Sequence, residues 1–293
     1  MSRNPIIFSN IAPLRDRYFK ALPGKESLIS TINAAEIPEH VYNSNAIENS
    51  TLSLEDTEKI LLDIDLERFV TAREIHEAKN LARVTEYVEQ KASQGMLTKE
   101  LILLFHKMLI GNIDDSIAGR FRCNDEWVRI GSYIAADPNK IESLIFQVLQ
   151  THQINNTTNI ISRIAQFHLD FEHVHPFCDG NGRIGRVLNN YLLVRDGYVP
   201  INISFADRAR YYDAFKAFDS TKNIRIMEEI VGRALAESYH KRLAYMEGKK
   251  IVSIKEYAKS VGESHSNSLN KAERQTIEAF HEKGVWKIGV PQI

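Results

Sequence analysis

Residues 175–186 read His-Pro-Phe-Cys-Asp-Gly-Asn-Gly-Arg-Ile-Gly-Arg, a stretch that holds a proton acceptor, a carboxylate, a glycine-bracketed turn and two arginines. Pro176 disfavours the α conformation at the residue before it, so a helix should end at His175 and leave the imidazole at a helix-to-loop junction. Gly180-Asn181-Gly182 permits a tight turn and close approach to a ligand, and the run Ile184, Val187, Leu188, Tyr191, Leu192 predicts a helix that starts at once. Backbone donors at such a start favour anions. Arg183, Arg186 and Asn190 recur at three- and four-residue spacing, which places them on one polar face where the guanidinium forks can meet a polyphosphate. Asp179 is suited to Mg²⁺, which takes one or two carboxylates and fills its shell with phosphate oxygens and water. His175 is suited to take the proton of an incoming hydroxyl, the usual role of an imidazole in acid–base catalysis. The chemistry these residues suit is phosphoryl or nucleotidyl transfer to an alcohol or phenol.

The pattern His-x-Phe-x-Asp-Gly-Asn-Gly-Arg-x-x-Arg, carried by His175, Phe177, Asp179, Gly180, Asn181, Gly182, Arg183 and Arg186, resembles the Fic family motif at every specified position. At residue frequencies of about 5% each, coincidence over eight positions anywhere in a chain this long is on the order of 10⁻⁸. The resemblance implies a helical core that transfers AMP from ATP to a Ser, Thr or Tyr hydroxyl of a protein target. It implies His175 as general base, Asp179 as Mg²⁺ ligand, and the 180–182 turn with Asn181 as holder of the α- and β-phosphates. Arg183 and Arg186 would engage the outer phosphates, Tyr211 and Tyr212 would line the adenine pocket, and Phe177 would anchor the loop in the core.

Ser44-Asn45-Ala46-Ile47-Glu48-Asn49 is similar to the family's inhibitory motif. Ser44 and Glu48 are four apart, on one helix face, and the expectation is that Glu48 pairs with Arg186 and denies it to the γ-phosphate. Loss of Glu48 should then raise self-modification. Between these motifs, Trp127, Val128, Arg129, Ile130 and Gly131, running on to Asp137-Pro138, alternate apolar and polar residues around a Gly-Ser turn, as a hairpin does. Its place and pattern resemble the family's flap, which docks a target segment by strand addition.

The elements that must position these residues are overwhelmingly helical. The expected fold class is all-α (mainly α): a Fic-type helical core, a β-hairpin flap and a small C-terminal helix-turn-helix-like tail. Residues 1–66 read as an N-terminal helical region with the inhibitory motif, and Ser53-Leu54-Glu55-Asp56 as a helix start within it. Residues 67–246 read as the core, with helical segments at 71–93, 98–110, 138–152, 158–174, from 182, and near 206–219 and 223–245. Gly248-Lys249-Lys250 reads as a linker into a 251–293 winged-helix or helix-turn-helix-like domain, with helices at 253–258 and 271–280 and a closing strand at 285–288. That tail holds six Lys and Arg against five Glu, far from the basic footprint of a DNA reader, so protein contact or packing is expected in place of DNA.

Composition bounds the remaining classes. In 293 residues, 43% are hydrophobic, 26% charged and two are cysteines, with a formal charge of -1. The run Pro5-Ile6-Ile7-Phe8 is too short for a signal peptide, and no stretch approaches the ~20 apolar residues needed to span a bilayer. A cytoplasmic protein with reduced Cys123 and Cys178 and no membrane partner is the expectation. Other chemistries fit less well. His168, His173 and His175 with Asp179 could suggest zinc, but a zinc hydrolase needs neither the Gly-Asn-Gly turn nor the paired arginines. Cys178, three residues from His175, occupies a variable position of the motif and reads as incidental. The alternatives kept open are removal of AMP, a different nucleotide or phosphate transfer, and a nucleotide-sensing module. The oligomeric state stays open, although the family that the motif resembles often self-associates, which makes a homo-oligomer one of the possible partners.

Overall fold

The computed structural model describes residues 5–130, 133–154 and 159–292. In chain order these form α1 (Pro5–Ala21), α2 (Glu26–Ile47), α3 (Leu54–Leu61), α4 (Ala72–Lys91), α5 (Lys99–Ile110), β1 (Arg129–Ile130) and β2 (Tyr133–Ile134). There follow α6 (Ile141–Ile154), α7 (Ile160–Val174), α8 (Asn181–Arg195), α9 (Arg208–Thr221) and α10 (Arg225–Met246). The chain ends with β3 (Lys250–Ser253), α11 (Ile254–Ser260), α12 (His265–Glu273), β4 (Ala279–Glu282) and β5 (Val285–Val290). The mainly helical class expected from the sequence is the observed one, with core helix bounds within about three residues of those predicted. No described helix is long and apolar enough to cross a membrane.

Helix starts follow local chemistry. Ser53 caps α3 and Thr71 caps α4, each in a reciprocal capping box with the third helical residue, Asp56 and Glu74. These exchanges satisfy backbone donors that a helix start otherwise leaves unpaired.

The chain's contacts divide into two compact units. One comprises residues 37–198 and 203–228. In it α8 is the central helix, with α4, α5 and α7 packed against it. Ile161, Ile164, Leu169 and Phe171 of α7 and Ile184, Leu188 and Leu193 of α8 are all 0% exposed, and the two helices pack on each other. Burial at this level is worth roughly 1.5–3 kcal/mol per large apolar side chain, so the α7–α8 pair is the firm floor on which the 175–180 loop rests. The flap is present as β1 and β2, paired antiparallel with Arg129 opposite Ile134 and Ile130 opposite Tyr133. Its turn, including Gly131, lies outside the described residues.

The other unit comprises residues 1–36, 199–202 and 229–293. Its sheet has the order β3-β5-β4, antiparallel throughout, with α11 and α12 between β3 and β4 in sequence. Ile254, Ala272, Ala279 and Ile288 form a small core there. Residues 250–290 thus run strand, two helices, two strands, with two local departures from the sequence expectation. The 248–250 linker already begins strand β3, and the helix expected over 271–280 stops at Glu273. Gln275 adopts a left-handed conformation (φ 53°) and is buried with its amide on the carbonyls of Ala272 and Ala279, after which the chain enters β4. Pairing with β5 and burial of Ala279 and Phe280 override the helical propensity of that stretch.

Candidate active site

α7 ends at His175, which takes a left-handed conformation (φ 51°, ψ 64°) while its N–H donates to Phe171 O. The side chain of Arg122, 1% exposed, closes the helix end: Nε donates to His175 O at 2.7 Å and Nη2 to Val174 O at 3.2 Å, while Arg122 N donates to Pro176 O. Further bonds from Arg122 reach Glu126 O and Ala136 O on either side of the flap, so one buried guanidinium ties the flap base to the histidine turn.

The loop beyond is held from beneath. Phe177 is fully buried, stacked on His106 at 3.7 Å between centroids. The Gly119 N–H donates to His106 Nδ1, which puts the ring proton on Nε2, where it is donated to Asp179 O at 3.1 Å. Burial pushes His106 down to about 4, so it stays neutral and keeps this pattern. Asn181, 3% exposed, accepts from Phe177 N and donates to Phe177 O, both at 2.9 Å. Its amide thus braces the loop, and what it presents toward a ligand is its backbone N–H.

α8 starts after Gly180 (φ 79°) with no side-chain cap. The N–H groups of its first residues therefore have no intrahelical acceptor and carry the positive end of the helix dipole. They face a cavity of about 360 Å³ lined by His175, Asp179, Gly180, Asn181, Gly182 and Arg183 of the loop, by Asn45 and Glu48 at the end of α2 and the turn after it, and by Arg73, Glu74 and Glu77 of α4. That volume is in the range of small-molecule sites.

The charged groups here are neutralised in pairs. Asp179 takes ion pairs from Arg73 and from Arg183 Nη2 (3.3 Å) and accepts from Gly180 N. Burial opposes its ionisation, but Arg183, the Gly180 N–H and Arg73 outweigh it and hold the carboxyl below the ordinary range. Arg183, expected on an exposed polar face, is 3% exposed, because α4 crosses over it and Glu77 Oε1 meets its Nη1 at 3.1 Å. Arg186, 7% exposed, donates from Nε to Ser44 Oγ (2.9 Å), from Nη2 to Ser44 O (2.8 Å) and Glu48 Oε1 (3.0 Å), and from Nη1 to Tyr211 Oη (3.1 Å). Burial works against this charge and Tyr211 and Glu48 outweigh it, leaving the guanidinium firmly protonated. The Glu48 carboxylate, in the turn just beyond α2, lies so close to Gly182 that a Cβ there would come within 2.1 Å of Oε1.

The remaining expected residues fall elsewhere. Tyr211 is 2% exposed, and its hydroxyl, pushed up by burial, meets Arg186 and His168. Tyr212 reaches Ile47 O at 3.2 Å. Neither tyrosine lines the cavity, nor does Asn190, one turn beyond Arg186. Both tyrosines instead pack beside Arg186 and the end of α2. On the flap, Trp127, Arg129 and Ile130 are exposed and Val128 half-buried. The histidines of the zinc reading turn to different partners, His168 to Tyr211 and Asn189, His173 to Asp219. Residues the motif reading did not single out are His106, Arg122, Glu172, Arg73 and Glu77. Only Glu172 carried a signal, its three-residue spacing before His175 on a helix end.

Residues 96–193 match the model of the Fic/DOC family. The chain is 28% identical over 222 residues to the protein adenylyltransferase Fic of Drosophila willistoni, covering 70% of this chain and 44% of that protein. Against the Drosophila mojavensis protein of the same name it is 29% identical over 219 residues, covering 69% and 43%. The chain thus spans less than half the length of the curated relatives it matches. In fold it resembles a Fic domain containing signaling protein of Bacteroides thetaiotaomicron, with TM-score 0.72 and 22% identity over 82% of this chain and 98% of that one. Fic-1 of C. elegans superposes with TM-score 0.68 and 24% identity over 84% of this chain and 73% of that one. Residues 96–193, which match the Fic/DOC family model, thus carry a loop complete at every specified position and seated on a helical fold similar to that of these structures.

Proposed function

We propose that this protein is an ATP-dependent protein adenylyltransferase restrained by Glu48. The observation that carries the reading is one cavity in which His175, the Asp179 carboxylate and the uncapped start of α8 converge, with Arg186 beside it tied to Ser44 and Glu48. The phosphates of ATP would meet the N–H groups of Asn181, Gly182 and Arg183, and the guanidinium groups of Arg183 and Arg186 once their carboxylates give way. Asp179, ionised and facing the cavity, is a hard oxygen donor that fits Mg²⁺. When bound, that ion supplies neutralisation of phosphate charge. The hydroxyl oxygen of the target attacks the α-phosphorus, the bond from that phosphorus to the bridging oxygen breaks, pyrophosphate leaves, and the hydroxyl proton passes to His175. The exposed edge of β1, beside Trp127 and Ile130, offers backbone groups to a target segment.

A charge-assisted hydrogen bond of the Glu48–Arg186 kind is worth about 1.5–3 kcal/mol, which corresponds to about a ten- to hundredfold change in nucleotide engagement. Intact-mass measurement after incubation with ATP and Mg²⁺ tests the reading. Glu48→Gly should gain AMP at a rate raised by that factor, and His175→Ala in the same background should gain none. A phosphate adduct, or no adduct in any variant, overturns the assignment.

A further inference from the structure

Glu172 lies on the last turn of α7, three residues before His175 and 9% exposed. Its Oε2 is 3.7 Å from His175 Nδ1, while its Oε1 and that Nδ1 are both buried without a hydrogen-bond partner among the described residues. The two groups face each other with one unpaired buried atom on each, a hydrogen bond waiting on a small side-chain rotation, since buried polar atoms are almost always paired. The backbone cannot supply the movement: His175 N–H is on Phe171 O and His175 O is on Arg122. The carboxylate is seated by α8, where a Cβ on Gly185 would come within 2.5 Å of Oε1. Glycine at that position is what admits Glu172 between the two helices.

We infer that Glu172 is the positioning carboxylate of His175, accepting a hydrogen bond from Nδ1–H so that Nε2 carries the lone pair that receives the hydroxyl proton. The inference rests on the reading of His175 as proton acceptor. When Nε2 is protonated, the imidazolium charge is balanced by a carboxylate already in place, the arrangement that orients a base histidine in hydrolytic triads. The groups facing Glu172 agree with an ionised carboxylate: His175 and His168 on its own helix and Arg186 on α8, with Tyr211 of α9 beyond Arg186. Burial opposes that ionisation, and His175, with the Arg186 charge, overcomes it. His168, held down to about 4 by burial, stays neutral and does not compete for the carboxylate's charge. Catalytic hydrogen bonds in empty sites are often long and tighten when the substrate closes them in.

The test has two independent arms. Nitrogen-15 NMR of the histidine rings in the unaltered protein, without ATP, should find the proton of His175 on Nδ1. Glu172→Gln should then redistribute the two ring tautomers, because an amide can also donate to Nδ1. In the Glu48→Gly background, Glu172→Gln should lower the turnover of AMP transfer about ten- to a hundredfold with KM for ATP unchanged. It should also move the acid limb of the pH profile about one unit lower. A His175 proton on Nε2, or a Glu172→Gln protein with the same tautomer, turnover and acid limb, overturns the inference. If the Glu48→Gly parent transfers no AMP, the functional reading fails while the NMR arm still decides the pair.

Discussion

Two arginines three residues apart on α8 are buried to a similar depth but held by different parts of the chain. Arg186 is held by the 44–48 segment at the end of α2, through Ser44 and Glu48, with Tyr211 and His168 behind it. Arg183 is held by Glu77 of α4 and by Asp179, whose own carbonyl takes a hydrogen bond from His106. Glu48 is about one-third exposed and follows the last turn of its helix, whereas Glu77, 12% exposed, sits within a helix packed on α8. The difference teaches which partner can leave. Under the proposed function the Arg186 contact is the one that is released while the fold stands, and the Arg183 contact is part of the fold.

The largest expected effect is common to both sides, because each is backed by a buried histidine pushed down to about 4 by burial, His106 under Asp179 and His168 under Arg186. A histidine whose folded value lies below its unfolded value of about 6.5 leaves the unfolded chain binding the extra proton between those limits. Stability is therefore complete above about pH 6.5 and is lost as pH falls toward 4, by about 1.4 kcal/mol per unit for each histidine. Melting temperatures across that window should fall steadily. A flat profile down to pH 4 would mean that neither ring is locked neutral. Asp56, Glu126 and Glu278, each pushed down to about 2, release their stability only at lower pH and do not blur the window.

Next in size is the contrast between the two carboxylates. Glu77→Ala leaves a buried guanidinium with only Asp179 and should cost about 3–5 kcal/mol, the usual loss when one partner of a buried pair is removed. Glu48→Gly leaves Arg186 on Ser44 and Tyr211 and should cost much less. Urea denaturation of both variants checks this, and equal losses would break the distinction between latch and scaffold.

How much of this was legible in the sequence depended on the range of the interactions. The 175–186 loop could be read because Pro176, Gly180 and Gly182 act locally, ending one helix and shaping the start of the next. Ser53 and Thr71 likewise announce α3 and α4 through residues three positions on. The mainly helical fold followed from periodicity that core packing then reinforced. The depth of Arg183 could not be read, since its burial depends on Glu77, more than a hundred residues earlier. Arg122 lies five residues before the stretch read as a hairpin, yet its side chain belongs to the end of α7. His106 lies within an apolar helix and acts through its bond to Asp179 O, which no spacing reveals. In the tail, Lys271–Phe280 has the composition of a helix, and only its pairing with β5 turns the last residues into strand.

The smallest expected effect is that of Arg73→Ala, and it sharpens the comparison most narrowly. Arg73 reaches Asp179 and Glu77 from the α4 side but is 56% exposed. A pair this open to solvent should contribute at most about 1 kcal/mol, since screening and side-chain entropy offset most of the attraction. In a domain of this size that is a shift of about 2–4 °C in Tm. Asp179 would keep Arg183 and the Gly180 N–H but lose one cation, so its carboxyl should rise toward the ordinary carboxylate range. A depressed carboxyl stabilises the fold above its unfolded value and loses that contribution as pH falls through its folded value. Losing Arg73 should therefore move the acid loss contributed by Asp179 to higher pH, which carbon-13 NMR of the Asp179 carboxyl can follow. If Arg73→Ala instead destabilises the protein as much as Glu77→Ala, then α4 holds this side from its exposed rim, and the buried Glu77–Arg183 pair is not what makes it scaffold.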